Sequence, residues 1–392
     1  MQFAILGSHP NLSLAELTSI TNQVPLHHAD KVALFNSFDT ELSNLQKKLG
    51  GVQKLGFIIG SSKTDDYEGL IDLCTSVLLE KATDQKIKFG FSVYDIRNPK
   101  GAQNLRGQIE RIGLEVKKSM KAAGKNARLV TSKEPQLSSV VVTKNKLLQT
   151  GAEFILIVNK VELLIGFTEA VQDFEDWSHR DYDRPARDAR RGMLPPKLAR
   201  MMVNLGDTEP EKSTILDPFC GSGTVLMEAS MLGFKKMLGS DIQKQAVDDT
   251  EKNLIWLSQQ GIEVTKYQLA QSSAEKIADV FPETKVDVIV TEPFLGKPRQ
   301  GTESVAMIEK TIAELEELYK KSFTTLFELL KSGGTLVVAS PVHFIGGREF
   351  APDTKAILKK IGFSPSPASE TRLLYHQKDQ FVARDLLRFK KV

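Results

Sequence analysis

Cysteine is nearly absent from this 392-residue chain: only Cys74 and Cys220 occur. Two isolated cysteines give neither a disulfide framework nor the paired spacing of a zinc site, so a reducing cytoplasm and no bound metal are expected. Long apolar runs are missing as well. The longest near the middle, Phe154-Ile155-Leu156-Ile157-Val158, is far too short to span a bilayer. The start, Met1-Gln2-Phe3-Ala4-Ile5-Leu6-Gly7, has no basic residues ahead of an apolar stretch, and no signal peptide is expected. Net charge is small, at +3. A hydrophobic content of 41% and a charged content of 26% fit a globular protein, and the length implies two or three domains.

What charge there is lies unevenly. Residues 85–150 carry fourteen Lys or Arg against four acids. A positive surface of that density attracts a phosphate backbone through counterion release, although a merely solvated basic face would look the same.

The N-terminal part mixes short strands and helices. Phe3 to Leu6 reads as a strand, and Ser13-Leu14-Ala15-Glu16 has the spacing of a capping box opening a helix. Leu70 to Leu79 is amphipathic. Lys88 to Val93 alternates like a strand, and residues 101–124 have helical spacing of apolar residues with Lys and Arg between them. Ala127 to Val130, Ser138 to Val142 and Glu153 to Val158 are expected as β or βα elements, with Leu163 to Gly166 closing the sheet. Residues 171–192 are polar, crowded with opposite charges, and read as a solvated linker. From about residue 193, strand and helix alternate: Ser213 to Leu216, Thr224 to Leu232, Lys236 to Gly239, Gln243 to Gln259, Val286 to Val290, Val305 to Leu330 and Gly334 to Ala339. That alternation predicts an α/β domain with a mostly parallel sheet, whose ligands bind beyond the carboxyl ends of the strands.

Asp217-Pro218-Phe219-Cys220-Gly221-Ser222-Gly223-Thr224 falls where the first parallel strand should end and a helix begin. Gly221 and Gly223 permit a tight turn and close backbone approach, and the helix start beyond them offers N–H groups to an anion. A dinucleotide fingerprint would need a third glycine at the position of Leu226, which disfavours nicotinamide binding. Twenty residues after Gly221, Asp241 follows the next strand. Alone it is equally a helix N-cap; with the glycine loop one strand earlier, it reads as the acid that accepts the ribose hydroxyls of an adenosine cofactor.

The same loop resembles the cofactor loop of class I amino-methyltransferases. Arg184-Pro185-Ala186-Arg187-Asp188-Ala189-Arg190-Arg191-Gly192-Met193-Leu194-Pro195-Pro196-Lys197-Leu198-Ala199 is similar to the linker and first helix of THUMP-containing tRNA guanosine N2-methyltransferases, which modify position ten of tRNA. Ile5-Leu6-Gly7 with Leu12 to Glu16 is similar to that family's opening. Gly124 to Arg128 and Ala152 to Leu156 resemble its THUMP domain. The resemblance implies an N-terminal ferredoxin-like α+β domain (1–82), a THUMP RNA-binding domain (83–170), a linker (171–192) and a Rossmann-like methyltransferase domain (193–392). It implies S-adenosylmethionine as cofactor and tRNA as partner, with Lys121, Lys125 and Arg128 on phosphates. A monomer is expected, a small activating protein partner is allowed for, and no membrane is involved. Gly192 to Leu198 would help close the cofactor pocket, with Leu194 and Pro195 near it. Asp217, Pro218, Phe219, Gly221, Gly223, Thr224, Asp241 and Ile242 would line it, and Ser273 and Ala274 stand where related enzymes often place an acid on the adenine.

The family's catalytic pattern is Asp-Pro-Pro-Tyr-Gly. Here Glu292-Pro293-Phe294-Leu295-Gly296 occupies that place without a gap. A second register, pairing Pro293-Phe294 with the last Pro-Tyr, would put Thr291 in the acid's position. The gapless register is preferred because the preceding strand fits it. The lone pair of an exocyclic amine is delocalised into its base. A carboxylate and a backbone carbonyl that accept from both amine hydrogens restore its nucleophilicity, and an aromatic ring stacks on the extruded base.

Overall fold

The computed structural model describes residues 1–83, 85–187, 193–366, 371–378 and 380–392. The chain forms two compact units, Met1–Glu175 and Asp176–Val392.

The first unit is built on one mixed sheet of eight strands: β1 Gln2–Leu6, β2 His27–His28, β3 Val32–Phe35, β4 Val52–Ser62, β5 Ile87–Asp95, β6 Ala127–Val130, β7 Gly151–Val158 and β8 Leu163–Val171. Their order is β2-β3-β1-β4-β8-β7-β5-β6. Pairing of β4 with β8 carries residues from either side of position 82 in a single sheet. A buried polar cluster crosses the same seam. Lys54 on β4 pairs with Glu153 on β7, the two side chains 1% and 0% exposed. Glu153 also accepts from Ser92 Oγ and Thr168 Oγ1, both at 2.6 Å, and Lys54 Nζ donates to the Leu137 carbonyl at 2.6 Å. A buried pair so fully hydrogen-bonded ties its four strands into one arrangement, because stripping either partner would leave an uncompensated charge.

Three local expectations are corrected in this unit. The first helix starts at Pro10, with His9 as N-cap; proline at the first position nucleates it earlier than Ser13. Ser13 and Glu16 are no capping box. Ser13 Oγ donates to the Gly51 carbonyl at 2.8 Å, and the Glu16 carboxylate accepts from the amides of Gly50 and Gly51, each at 2.8 Å. The 101–124 periodicity is two helices, Pro99–Arg106 and Ile109–Ala122, parted at Gly107. Ser138 caps a short helix, Ser139–Lys144, rather than opening a strand.

The second unit carries β9 Thr214–Asp217, β10 Lys236–Asp241, β11 Lys266–Gln271, β12 Val286–Thr291, β13 Leu330–Ile345, β14 Arg348–Phe350, β15 Phe363–Pro365, β16 Leu374–Tyr375 and β17 Val382–Lys391. The main path is β11-β10-β9-β12-β13-β17-β15. The five strands from β11 to β13 are parallel, and β17 runs antiparallel to β13 and β15. Strand order reverses between β9 and β12, which opens a crevice at their carboxyl ends. β12 is apolar almost throughout and buried, as a strand covered on both faces must be. Leu216, Ile289, Leu336 and Val338 pack with Tyr319, Phe323 and Leu326 of the long helix Val305–Leu329.

Candidate functional site

β9 ends at Asp217, and the chain turns through Pro218–Gly223 into the helix Thr224–Met231. Gly221 and Gly223 have φ of +55° and +81°. A Cβ on Gly223 would stand 2.8 Å from Thr250 Cγ2, so glycine is required there for space as well as conformation. The loop is held by Thr250 Oγ1 donating to the Gly221 carbonyl at 2.9 Å and Asn253 Nδ2 donating to the Ser222 carbonyl at 2.8 Å. Gly223 is the N-cap and supplies no side chain to the first turn, which suits that helix start to an anion.

Asp241 closes β10 on the other side of the crevice. It is not an N-cap: the next helix begins at Lys244 with Gln243 as cap. Its carboxylate instead accepts from Gly221 N at 3.1 Å and Gln243 N at 2.9 Å, which joins the two cofactor motifs. Asp217 is buried, and burial pushes its carboxyl up to about 7. The Thr291 hydroxyl, at 2.7 Å, and the Phe219 amide, at 3.2 Å, oppose that rise, while the charges of Asp241 and Glu292 add to it.

These groups surround a cavity of about 430 Å³, within the range of small-molecule sites. Of the cofactor residues expected from sequence, Leu194, Asp217, Pro218, Phe219, Gly221, Thr224, Asp241, Ile242, Ser273 and Ala274 line it. Pro195 and Gly223 do not; Pro195 is the N-cap of the helix Pro196–Leu205. Met193, Cys220 and Ser222, which fall within the segments 192–198 and 217–224 expected at the pocket, line it too; Val225, Gln243, Ala246, Asp249 and Leu318 also line it and were not foreseen. Gln243, Ala246 and Asp249 recur at three-residue spacing after Asp241, a signal the helical period could have supplied; Leu318 comes from a distant helix and left none. The set fits an adenosyl cofactor. Asp241 offers carboxylate oxygens, and Ile242, 66% exposed, offers an apolar face at the rim.

The segment expected as a solvated linker is largely structural. Phe174–Tyr182 is a helix. Arg180 and Arg200 both grip Glu228, with all three side chains 1–2% exposed, and the Arg180 guanidinium lies 4.0 Å from the Trp177 ring centroid. Arg184 Nη1 donates to Thr224 Oγ1 at 2.7 Å. Asn253 exchanges hydrogen bonds with the Ala186 backbone at 3.0 and 2.9 Å while also holding Ser222. The charges are buried because each finds a partner on the glycine-loop side of the unit. Gly192 and its neighbours Asp188 to Arg191 lie outside the described residues.

β12 delivers the second half of the site. Thr291 is buried, does not line the cavity, and donates its hydroxyl to Asp217, which does. Glu292, Pro293 and Phe294 line the cavity, and Leu295 does not. The gapless register therefore puts a carboxylate on the cavity wall. Phe294 is 52% exposed, and Tyr319 Oη donates to its carbonyl at 2.7 Å. Glu292 pairs with Arg384 of β17, a residue that no local pattern in the sequence marked. In the other unit, Lys121 lies in the last turn of the helix Ile109–Ala122, Lys125 donates to the Thr83 carbonyl at 3.4 Å, and Arg128 lies exposed on the edge strand β6. Among the described residues no cluster of His, Cys, Asp and Glu could hold a metal, and no helix is long and apolar enough to cross a membrane.

A seven-stranded path with one antiparallel strand, a glycine loop and two acids at its switch point define a methyltransferase fold. A family model described as "RMKL-like, methyltransferase domain" matches residues 184–343, and one described as "DNA methylase" matches residues 66–252. The tRNA (guanine(10)-N2)-dimethyltransferase of Methanothermobacter thermautotrophicus is 34% identical over 154 residues, 39% of this chain and 40% of that protein. The "Probable tRNA (guanine(10)-N2)-dimethyltransferase" of Methanothermococcus thermolithotrophicus is 33% identical over 147 residues, 37% of this chain and 79% of that one. The chain belongs to this family, as a distant homologue, and its match spans well under half the length of the Methanothermobacter relative. The crystal structure of TrmN from Thermus thermophilus covers all of both chains with a TM-score of 0.53 at 17% identity. That of SMU.472 complexed with SAH covers all of this chain and 98% of the other, with a TM-score of 0.51 at 12% identity. At those identities the likeness is one of fold.

Proposed function

We propose that this chain uses S-adenosylmethionine to methylate the exocyclic N2 amine of a guanosine in tRNA, at position ten. The observation that carries the reading is a single cavity bearing the glycine loop and Asp241 on one side and Glu292-Pro293-Phe294 on the other. Bound there, the cofactor supplies an electrophilic methyl. Asp241 is suited to its ribose hydroxyls and the helix start at Thr224 to its carboxylate. Ile242, Ser273 and Ala274 flank its base. On the acceptor side, the Glu292 carboxylate and the Pro293 carbonyl accept from the amine hydrogens, and Phe294 stacks on the extruded guanine. Orientation supplies much of the acceleration.

The acceptor is inferred from the family relation and the basic N-terminal region. In this reading residues 1–82 and 83–170 are the ferredoxin-like and THUMP parts of an RNA-gripping unit, with Lys121, Lys125 and Arg128 on phosphates. A small activating protein partner would act on that assembly. Labelled methyl transfer to tRNA, ribosomal RNA and duplex DNA separates the alternatives. Transfer to tRNA is expected. A protein that binds cofactor but labels no tRNA refutes the reading. Transfer to DNA alone would favour the alternative suggested by the DNA methylase match over 66–252.

A further inference from the structure

Glutamate at position 292 carries one methylene more than the family's aspartate, and therefore one more torsion to freeze. The loop backbone around it is already fixed: Pro293 is buried, and Tyr319 holds the Phe294 carbonyl. The Glu292 side chain is the remaining freedom. Arg384 removes it. This arginine projects from β17, where its residue pairs with Pro341 of β13 and Tyr375 of β16. Its side chain is 5% exposed and Glu292's is 15%. Arg384 Nε donates to Glu292 Oε1, and Nη2 donates to Oε2 at 3.4 Å. Gln380 Oε1 accepts from Nη1 at 3.4 Å and steadies the far side of the guanidinium. The neighbouring acid, Asp385, is directed to Arg372 at 3.5 Å instead.

We propose that Arg384 is a positioning residue for methyl transfer, which clamps the longer Glu292 side chain in the orientation that receives the guanine amine. The inference rests on the reading of Glu292-Pro293-Phe294 as the acceptor loop. A planar guanidinium meets a carboxylate with two parallel bonds and fixes both its place and its plane, which an ammonium does not. An ionised carboxylate has about four lone-pair sites, so two remain for the substrate amine after the guanidinium is bound. The clamp comes from the antiparallel strand, 92 residues along the chain, so this sheet edge is part of the acceptor machinery as well as of the core.

A kinetic double-mutant cycle over Arg384→Met and Glu292→Gln, with tRNA as acceptor, tests this. Arg384→Met should lower kcat by about 10- to 100-fold, the scale of a small misplacement of a reacting group. Cofactor Kd, measured by calorimetry, should stay within about twofold of wild type. Arg384→Lys should recover only a minor part of the rate, since a point charge replaces a fork. In the Glu292→Gln background, Arg384→Met should cost little more, because its effect runs through the carboxylate. Multiplying effects of the two substitutions, or an Arg384→Met enzyme with wild-type kcat, would overturn the proposal. If Arg384→Met fails to fold, Arg384→Lys and Arg384→Gln complete the cycle, with thermal unfolding confirming that both are native. A wild-type protein that binds cofactor and methylates no tRNA refutes the acceptor-loop reading itself, and the clamp with it.

Discussion

Replacing Glu228 by alanine should cost more stability than any surface substitution, because it strands two buried guanidinium groups. The carboxylate accepts from Arg180 Nε at 2.9 Å and from Arg200 Nε at 2.7 Å. Arg180 keeps Asp176, whose side chain is 45% exposed and therefore a screened partner. Arg200 keeps the Trp177 face, 5.5 Å from its centroid, and a contact of 3.6 Å with Met231 Sδ. Breaking one buried pair typically costs about 3–5 kcal/mol. With part of the charge still compensated, the same range is expected for the pair of arginines here. In a unit of about 220 residues, 1 kcal/mol moves Tm by roughly 2–4 °C, so a fall of about 6–20 °C is predicted. Both tryptophans, Trp177 and Trp256, lie in this unit, so their fluorescence reports its melting alone. Glu228→Gln, which keeps the size and some acceptor capacity, should lose less. A Glu228→Ala protein melting within about 2 °C of wild type would refute the claim that Arg180 and Arg200 are locked into the unit through this carboxylate.

Asp217 carries a pH signature. Its carboxyl rises from 3.8 to about 7 on folding, chiefly through burial. The native state therefore binds the proton more tightly than the unfolded chain does. The stabilisation is fully present below about pH 4 and is lost as pH rises through 7, an effect of about 4 kcal/mol. Urea unfolding at pH 5 and pH 8 should show Asp217→Asn gaining on wild type at the higher pH; a difference independent of pH would count against the buried carboxyl. Asn253→Ala removes three hydrogen bonds joining Ala186 to the glycine loop, and calorimetry should find cofactor binding weakened by about tenfold, or about 1.4 kcal/mol. An unchanged Kd would mean the loop holds itself. Phe294→Ala should reduce kcat/KM for tRNA by roughly 5- to 150-fold, the equivalent of one lost stacking partner, while cofactor Kd stays put; equal losses in both would place the ring in the cofactor pocket instead.

What the sequence disclosed was local. Gly221 and Gly223 announced a turn because only glycine relieves φ of that sign, and the strand–helix alternation from residue 213 announced a parallel sheet because buried strands read as short apolar runs. Asp241 was found by its place after the second strand. What stayed hidden depended on partners far along the chain. Arg180 and Arg184 looked like solvent-facing linker charge until Glu228 and Thr224 were brought to them, and Arg200, which shares Glu228, was not marked at all. Arg384 and Arg388 interrupt β17 with charge, and both are buried, so that strand has no clean alternation to read. The capping-box spacing at Ser13 was real as a pattern, but proline at position 10 and the Gly50–Gly51 turn claimed its side chains for other work. The division at position 82 came from the family resemblance, and strand pairing, a non-local property, joins β4 to β8 across it.

The central claim is the acceptor atom, and mass spectrometry of nucleosides from treated tRNA tests it most directly. Wild-type protein with S-adenosylmethionine should produce guanosine methylated on N2, mapping to position ten, and Glu292→Ala with intact cofactor binding should abolish it. Methylated adenosine or cytidine, or N2-methylguanosine undiminished in the Glu292→Ala protein, would contradict the account.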